Sequence, residues 1–302
     1  MFFKNQYQEI KEIGEKIFKN PELGYKEFKT KESVIEFLKK VNPEIEMEFF
    51  STTGIKTTLG SGKSVNMAFI GELDAVYAPS HWCSDKESGA AHNCGHHTQI
   101  AITLALYNYF YTTGAYKNLD YTLTFIFIPA EEYLDLSYRE KLQKDGVINY
   151  YGGKPEAMRL GIFDDIDIGV CVHAIGGAFT ERTSEINCDL AGFLYKKYTF
   201  RGSASHAGFD PFSGKNAYSM SNIFQVALGL MRQQLKDSEH LRMNPIVMES
   251  DMSTNVIPNF IKVGTDLRTK SVEYMKTVAD RIDKAAMGSA ICLDGEVEQE
   301  TQ

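Results

Sequence analysis

A chain of 302 residues has room for two domains, since single cores stop growing at about 250–300 residues. Its 43% hydrophobic and 24% charged residues describe an ordinary globular protein, with no run near the ~20 apolar residues that span a bilayer. Lys and Arg total 32 against 40 Asp and Glu, a net charge of −8 spread along the chain, which sets aside nucleic acid and membrane as partners.

The N-terminal segment, to about Thr30, reads as an amphipathic helix carrying Tyr7, Ile10, Ile13 and Ile17 and closed by "NPELGYKEF", where Asn20, Pro21 and Gly24 punctuate. It has neither an apolar h-region nor a small-residue cleavage site, so the expected location is cytoplasmic. The five cysteines, an odd number without repeated spacing, do not form a disulfide framework. A second helix is expected near "TKESVIEFLKKV". Strands then alternate with helices: "VNMAFIGELDAV", the helical "QIAITLALYNYFYTTG", "YTLTFIFIPAEE", a long polar helical stretch, and "DIDIGVCVHA". Buried apolar strands separated by helices predict an α/β fold, a mostly parallel sheet with helices on both faces. After Cys188 the strands "AGFLYKKYTFRG" and "NFIKVGTDLRT" alternate with period two, and each is followed by a helix, which fits a βαββαβ module. The boundary is placed near residues 187–191, giving domains 1–187 and 188–302.

In open α/β sheets ligands bind beyond the carboxyl ends of the strands. The apolar runs here end in Glu72 and Asp74, in Glu131 and Glu132, and in His173. Taken singly, Asp74 reads equally as a cap or turn residue, the Glu pair as a solvated helix start, and His173 as an edge histidine. Adjacent carboxylates in a crevice call for a compensating cation, and their side chains diverge, so one can ligate while the other moves a proton. The stretch "AAHNCGHHTQIA" adds Cys94 and His96, two residues apart and able to face one side, with His97 facing away. Helix initiation just after them favours a thiolate at Cys94. Cys, His and Glu suit zinc and similar borderline ions; a redox pair is disfavoured by the absence of C-x-x-C, and Asn93 and Gly95 also allow a plain tight turn.

The motifs "NPELGYKEF", "GELDAV", "AAHNCGHH", "IPAEE", "VCVHA", "FRGSASHAGFDPFSGKNA" and "STNVIPNFIKVGTDLR" stand in the order seen in metal-dependent amidohydrolases and peptidases related to aminobenzoyl-glutamate hydrolase, auxin-conjugate hydrolases and aminoacylase, and the chain resembles that family over nearly its whole length. The resemblance implies a zinc-exopeptidase-like catalytic domain with an inserted ferredoxin-like lid or dimerisation domain. It implies two divalent ions (zinc, manganese, cobalt or nickel) held by Cys94, His96, Glu132 and His173, with Cys94 bridging, and Asp74 steadying a ligand from outside. Glu131 is then the general base and acid, metal-bound hydroxide the nucleophile, and the substrate an N-acyl or N-aroyl amino acid or a small peptide-like amide. His206 would stabilise the oxyanion in a neighbouring subunit of a homodimer, and Asn255 and Arg268 would contact a substrate carboxylate.

One departure stands out. The family supplies a further metal-ligating histidine from a segment beyond the lid, whereas after His206 this sequence has only His240, in the polar connection "KDSEHLRMNP". The expectation is a C-terminally shortened member. Its rival readings are a catalytically incomplete remnant that keeps fold and dimerisation, or a dipeptidase of the same kind.

Overall fold

The computed structural model describes residues 2–62, 64–186, 191–251 and 253–301. Two compact units result, Met1–Phe179 and Thr180–Gln302. The boundary expected at 187–191 falls largely on residues 187–190, which with Cys188 lie outside the described residues.

The first unit runs α1 (Phe2–Phe18), α2 (Phe28–Val41), β1 (Glu48–Phe50), β2 (Gly54–Leu59), β3 (Val65–Glu72), β4 (Val76–Tyr77), β5 (Ala90–Ala91), α3 (His96–Thr113), β6 (Tyr121–Ile128), α4 (Leu136–Lys144), α5 (Gly153–Arg159) and β7 (Ile168–Cys171). The apolar positions of α1 at 10, 13 and 17 share one face and pack toward α3, where Gly14 lets the helices close on Ala101. The Glu22 carboxylate of "NPEL" accepts from the backbone of Lys29 and Thr30, capping the start of α2. Alternate residues of β6 serve opposite faces of the sheet. Leu123, Phe125 and Phe127 meet residues of α1, α2 and α3, whereas Ile126 and Ile128 meet Ala157 of α5, so helices cover both faces.

The five-stranded sheet has the order β1-β2-β6-β3-β7, and it is mixed. β3 pairs in parallel with β6 and β7, as expected, but β2 is antiparallel to both β1 and β6, which corrects the mostly parallel sheet. The β1–β2 hairpin escaped the sequence because its turn uses Ser51 and Thr52 at φ 43° and 67°. Such left-handed turns normally announce themselves by Asn-Gly or Gly residues. Among the described residues no helix is long and apolar enough to cross a membrane.

The second unit runs β8 (Gly192–Arg201), α6 (Ala217–Met231), β9 (Arg242–Ser250), β10 (Phe260–Thr269), α7 (Val272–Ile291) and β11 (Glu296–Thr301). Its strands form one antiparallel sheet in the order β11-β8-β10-β9. Asn216 and Ser271 cap the two helices by accepting from the backbone of Ser219 and Tyr274. Met220, Phe224 and Leu228 of α6 and Val278 and Ile282 of α7 close over Tyr198, Phe200, Ile261 and Val263 of the sheet.

Candidate metal centre

The parallel pairing of β3 with β6 sets their carboxyl ends side by side, with Glu72 opposite Ile128. The ladder continues one step, Leu73 N donating to Ile128 O at 2.8 Å, so Asp74 and the Glu131–Glu132 pair leave the sheet at one level. Ala130 then turns the chain at φ 51°, a left-handed conformation that costs a non-glycine residue about 1–2 kcal/mol. Three contacts hold that turn. Ala130 N donates to the wholly buried Glu27 carboxylate at 2.8 Å, Gly153 N donates to Ala130 O at 3.0 Å, and the buried Arg139 guanidinium donates to Glu132 O and to Tyr151 O.

Cys94 and His96 converge by a different route from the expected strand alternation. His96 is already the first residue of α3, and Gly95 before it sits at φ 100°. A Cβ there would lie 2.8 Å from the Ala174 side chain, so the residue between the two candidates has to be glycine. The same contact seats the segment bearing His173, whose Nδ1 interacts with Ala174 O at 2.8 Å while Nε2 lies 3.4 Å from Cys94 Sγ. Cys94, His96 and His173 thus present three ligand-capable atoms within 4.8 Å of one another. His97 faces away and packs on Phe18, ring centroids 4.8 Å apart.

His96 is the centre of the arrangement. It is 1% exposed, with Nδ1 at 2.8 Å from Asp74 O and 3.3 Å from Asp74 Oδ1. Its Nε2 points into the cluster, 3.1 Å from Glu72 Oε2 and 4.0 Å from Glu131 Oε2, and among the described residues no hydrogen-bond partner is aligned with it. Asp74, wholly buried, also accepts from Glu132 N at 2.9 Å, so one carboxylate steadies both the imidazole and the acidic turn. Glu72, Glu131 and His96 form a second ligand-capable group.

Negative charge is in surplus here. Burial disfavours an imidazolium at His96, yet Asp74, Cys94 and Glu72 outweigh it and hold its pKa well above the usual value. Burial would raise Glu72, but His96 and Lys154 bring it down to about 2. Glu131 is raised, by burial first and then by the Glu72 carboxylate. His96 draws the Cys94 thiol downward, but burial and the neighbouring Glu132 leave it raised. A thiol, two imidazoles and adjacent carboxylates gathered around a buried ring nitrogen are the donor set that borderline divalent ions take, so the residues fit a metal.

In the second unit, His206 bridges Val256 in the backbone ladder, and Ala207 N donates to Asn255 O at 2.9 Å, so His206 and Asn255 are neighbours. His206 Nδ1 accepts from Gly208 N and Phe209 N at 3.2 and 3.0 Å, which leaves Nε2–H as an outward donor. Arg268 is not with them. It lies near the far end of β10, eight residues past Phe260 or about 27 Å along the strand, with Nε on Asp266 Oδ2 at 2.9 Å.

Lys154, Gln99, Arg139 and Glu27 were not singled out by the sequence. Gln99 takes both sides of Glu72, accepting from its N–H at 2.5 Å and donating to Oε2 at 3.2 Å. For Lys154 the available signal was the glycine pair before it: a Cβ on Gly153 would fall 1.6 Å from Pro129 O, so α5 is pressed against the acidic turn.

No family model matches the chain. Thermostable carboxypeptidase 2 of Saccharolobus solfataricus is 27% identical over 92% of this chain and 71% of the relative. N-acetyldiaminopimelate deacetylase of Bacillus cytotoxicus is 25% identical over 89% of this chain and 68% of the relative. Among solved structures, an aminohydrolase described as putative from methicillin-resistant Staphylococcus aureus superposes with a TM-score of 0.75 at 20% identity, covering 99% of this chain and 74% of that one. A Bacillus subtilis protein described as a dinuclear metal-binding peptidase of the M20 family gives 0.63 at 16% identity, covering 99% and 74%. The chain is thus similar in sequence to proteins named as a carboxypeptidase and a deacetylase, which are enzymes, and shares its fold with the solved structures.

Proposed function

We propose that the chain hydrolyses an amide bond in an N-acyl or N-aroyl amino acid or a small peptide-like substrate, using divalent metal held by Cys94, His96, His173 and Glu132. The observation that carries this is the buried Nε2 of His96, which faces Glu72 and Glu131 with no aligned hydrogen bond and shares its ring with the Cys94–His173 group. What zinc, manganese, cobalt or nickel supplies in such a ligand set is Lewis acidity toward a carbonyl and toward water. The chain's own part is proton handling and orientation. Glu131, its carboxyl raised by burial and by Glu72, takes a proton from the attacking water and returns it to the leaving nitrogen. Asp74 keeps His96 in one tautomer and orientation by holding its Nδ1 side.

The second unit takes the role of a lid and dimerisation domain. His206, with Nε2–H set outward by its backbone contacts, donates to the developing oxyanion of a substrate held by a second copy, and Asn255 beside it contacts the substrate carboxylate. Arg268, whose Nε donates to Asp266 at the other end of β10, is a further contact to a substrate carboxylate. A cytoplasmic homodimer completes the proposal.

The test is to purify the chain, measure its bound metal, and assay a panel of N-acyl amino acids beside Glu131→Gln. The expected result is metal-dependent turnover that falls by roughly 10²–10⁴-fold in Glu131→Gln while metal content is kept. Turnover that survives the substitution removes the mechanism. Metal-poor protein that dimerises without turnover favours a remnant of the fold.

A further inference from the structure

The two ligand-capable groups that share His96 are not equivalent. The first, Cys94, His96 and His173, has no ammonium or guanidinium in its ion-pair contacts among the described residues. The second, Glu72, His96 and Glu131, already contains a cation: Lys154 Nζ is ion-paired with Glu72 Oε1 and lies 3.7 Å from Glu131 Oε1. Its place is fixed by the fold. Gly153, the first residue of α5, is pressed against Pro129 O and bonded to Ala130 O, so Lys154 after it lies beside the turn that carries Glu131. Glu72 is 2% exposed and cannot turn to solvent, and Gln99 holds its other oxygen.

Two carboxylates sharing a crevice repel unless a cation lies between them, and an ammonium and a divalent ion compete for the same oxygens. We propose that Lys154 is the resident cation of the Glu72–His96–Glu131 group, so that its ammonium excludes a divalent ion there and the exchangeable metal is confined to the Cys94 side. The inference rests on the metal centre proposed above. It makes Lys154 a determinant of metal stoichiometry: His96 has one ring nitrogen turned away from Asp74 and gives it to the ion on the Cys94 side, so what the ammonium occupies is the Glu72–Glu131 carboxylate pair, an oxygen site suited to manganese that opens only when the ammonium is withdrawn.

The experiment uses the full chain, stripped of metal and reloaded first with Co²⁺ and then with Mn²⁺. The thiolate-to-cobalt absorption reports the Cys94 side, and elemental analysis after gel filtration counts both metals. Wild type and Lys154→Arg are expected to show the cobalt band and to retain no manganese. Lys154→Met, or Lys154→Gln should methionine not fold, is expected to keep the band and retain about one manganese ion per chain, lost again when Glu72→Gln is added. Neutral variants that retain no more manganese than wild type overturn the role of Lys154, as does a wild type that already retains it. Absence of the cobalt band in wild type overturns the metal centre itself, a failure separate from that of Lys154.

Discussion

In the first unit the buried titratable side chains Glu27, Glu72, Asp74, His96 and Arg139 gather at one end of a sheet, where Glu27, Asp74 and Arg139 grip a single turn. In the second unit the buried Lys196 and Lys197 lie along β8, where Lys196 meets Asp283 of α7 and Lys197 meets Glu300 of β11. The second arrangement ties neighbouring elements together and leaves its charges matched, while the first gathers carboxylates around a ring nitrogen that has no aligned hydrogen bond. Buried polar groups that are fully satisfied support a frame; an unsatisfied set at the carboxyl ends of parallel strands marks where a ligand completes the balance.

That contrast can be broken most forcefully from the second unit. Phe224→Ala, which empties a wholly buried position between α6 and the sheet, should cost about 3–5 kcal/mol in chemical denaturation and leave the metal affinity of protein that remains folded unchanged. Weakened cobalt binding in folded protein would show that the two units are not energetically separate.

A pH dependence tests the first unit. Burial, and then the facing Asp74, raise Glu27 to about 8 from an ordinary 4.5. The folded state therefore keeps a proton that the unfolded chain has released, so this stability is fully present below about pH 4.5 and is lost as pH rises through about 8. In metal-free protein the loss amounts to a few kcal/mol over that window, and Glu27→Gln should remove that part of the slope in urea midpoints measured from pH 5 to 8. A slope unchanged in the variant would mean that Glu27 is ionised in the folded state.

Asp74→Asn keeps the size of a buried side chain but withdraws the charge that steadies His96. Metal affinity should fall about 10–100-fold by competition with a chelator, with much less effect on unfolding. The smallest effect is expected at the hairpin. Thr52→Gly relieves a left-handed residue at φ 67° and should stabilise the chain by about 1 kcal/mol without touching metal binding.

The site was legible where chemistry sits at strand ends. Glu131, Glu132, Asp74 and His173 follow apolar runs, and Cys94 and His96 flank a glycine, so residue type and position were enough to nominate them. Lys154 and Arg139 were hidden because each lies in a polar helical stretch that looks solvated in one dimension. Only the packing of α5 on the Pro129–Ala130 turn brings Lys154 to Glu72, and only the burial of Arg139 turns it toward Glu132. The β1–β2 hairpin was hidden for a local reason, a turn built from Ser51 and Thr52 in a conformation their side chains do not advertise. Arg268 was nominated by its motif alone, and the register of β10 places it beside Asp266.

By itself the sequence determined the alternation of elements, the helices on both faces, and the residue types that meet at the carboxyl ends of β3 and β6. Those follow from hydrophobic periodicity and from side-chain chemistry, which are properties of short stretches. The tertiary structure decided the mixed pairing of the sheet, the left-handed turns at Gly95 and Ala130 that aim the ligands, and the lysine that neutralises one of the two groups. Those depend on contacts between residues distant in sequence, where a missing Cβ, a buried carboxylate or a docked helix sets the geometry, and no local pattern encodes them.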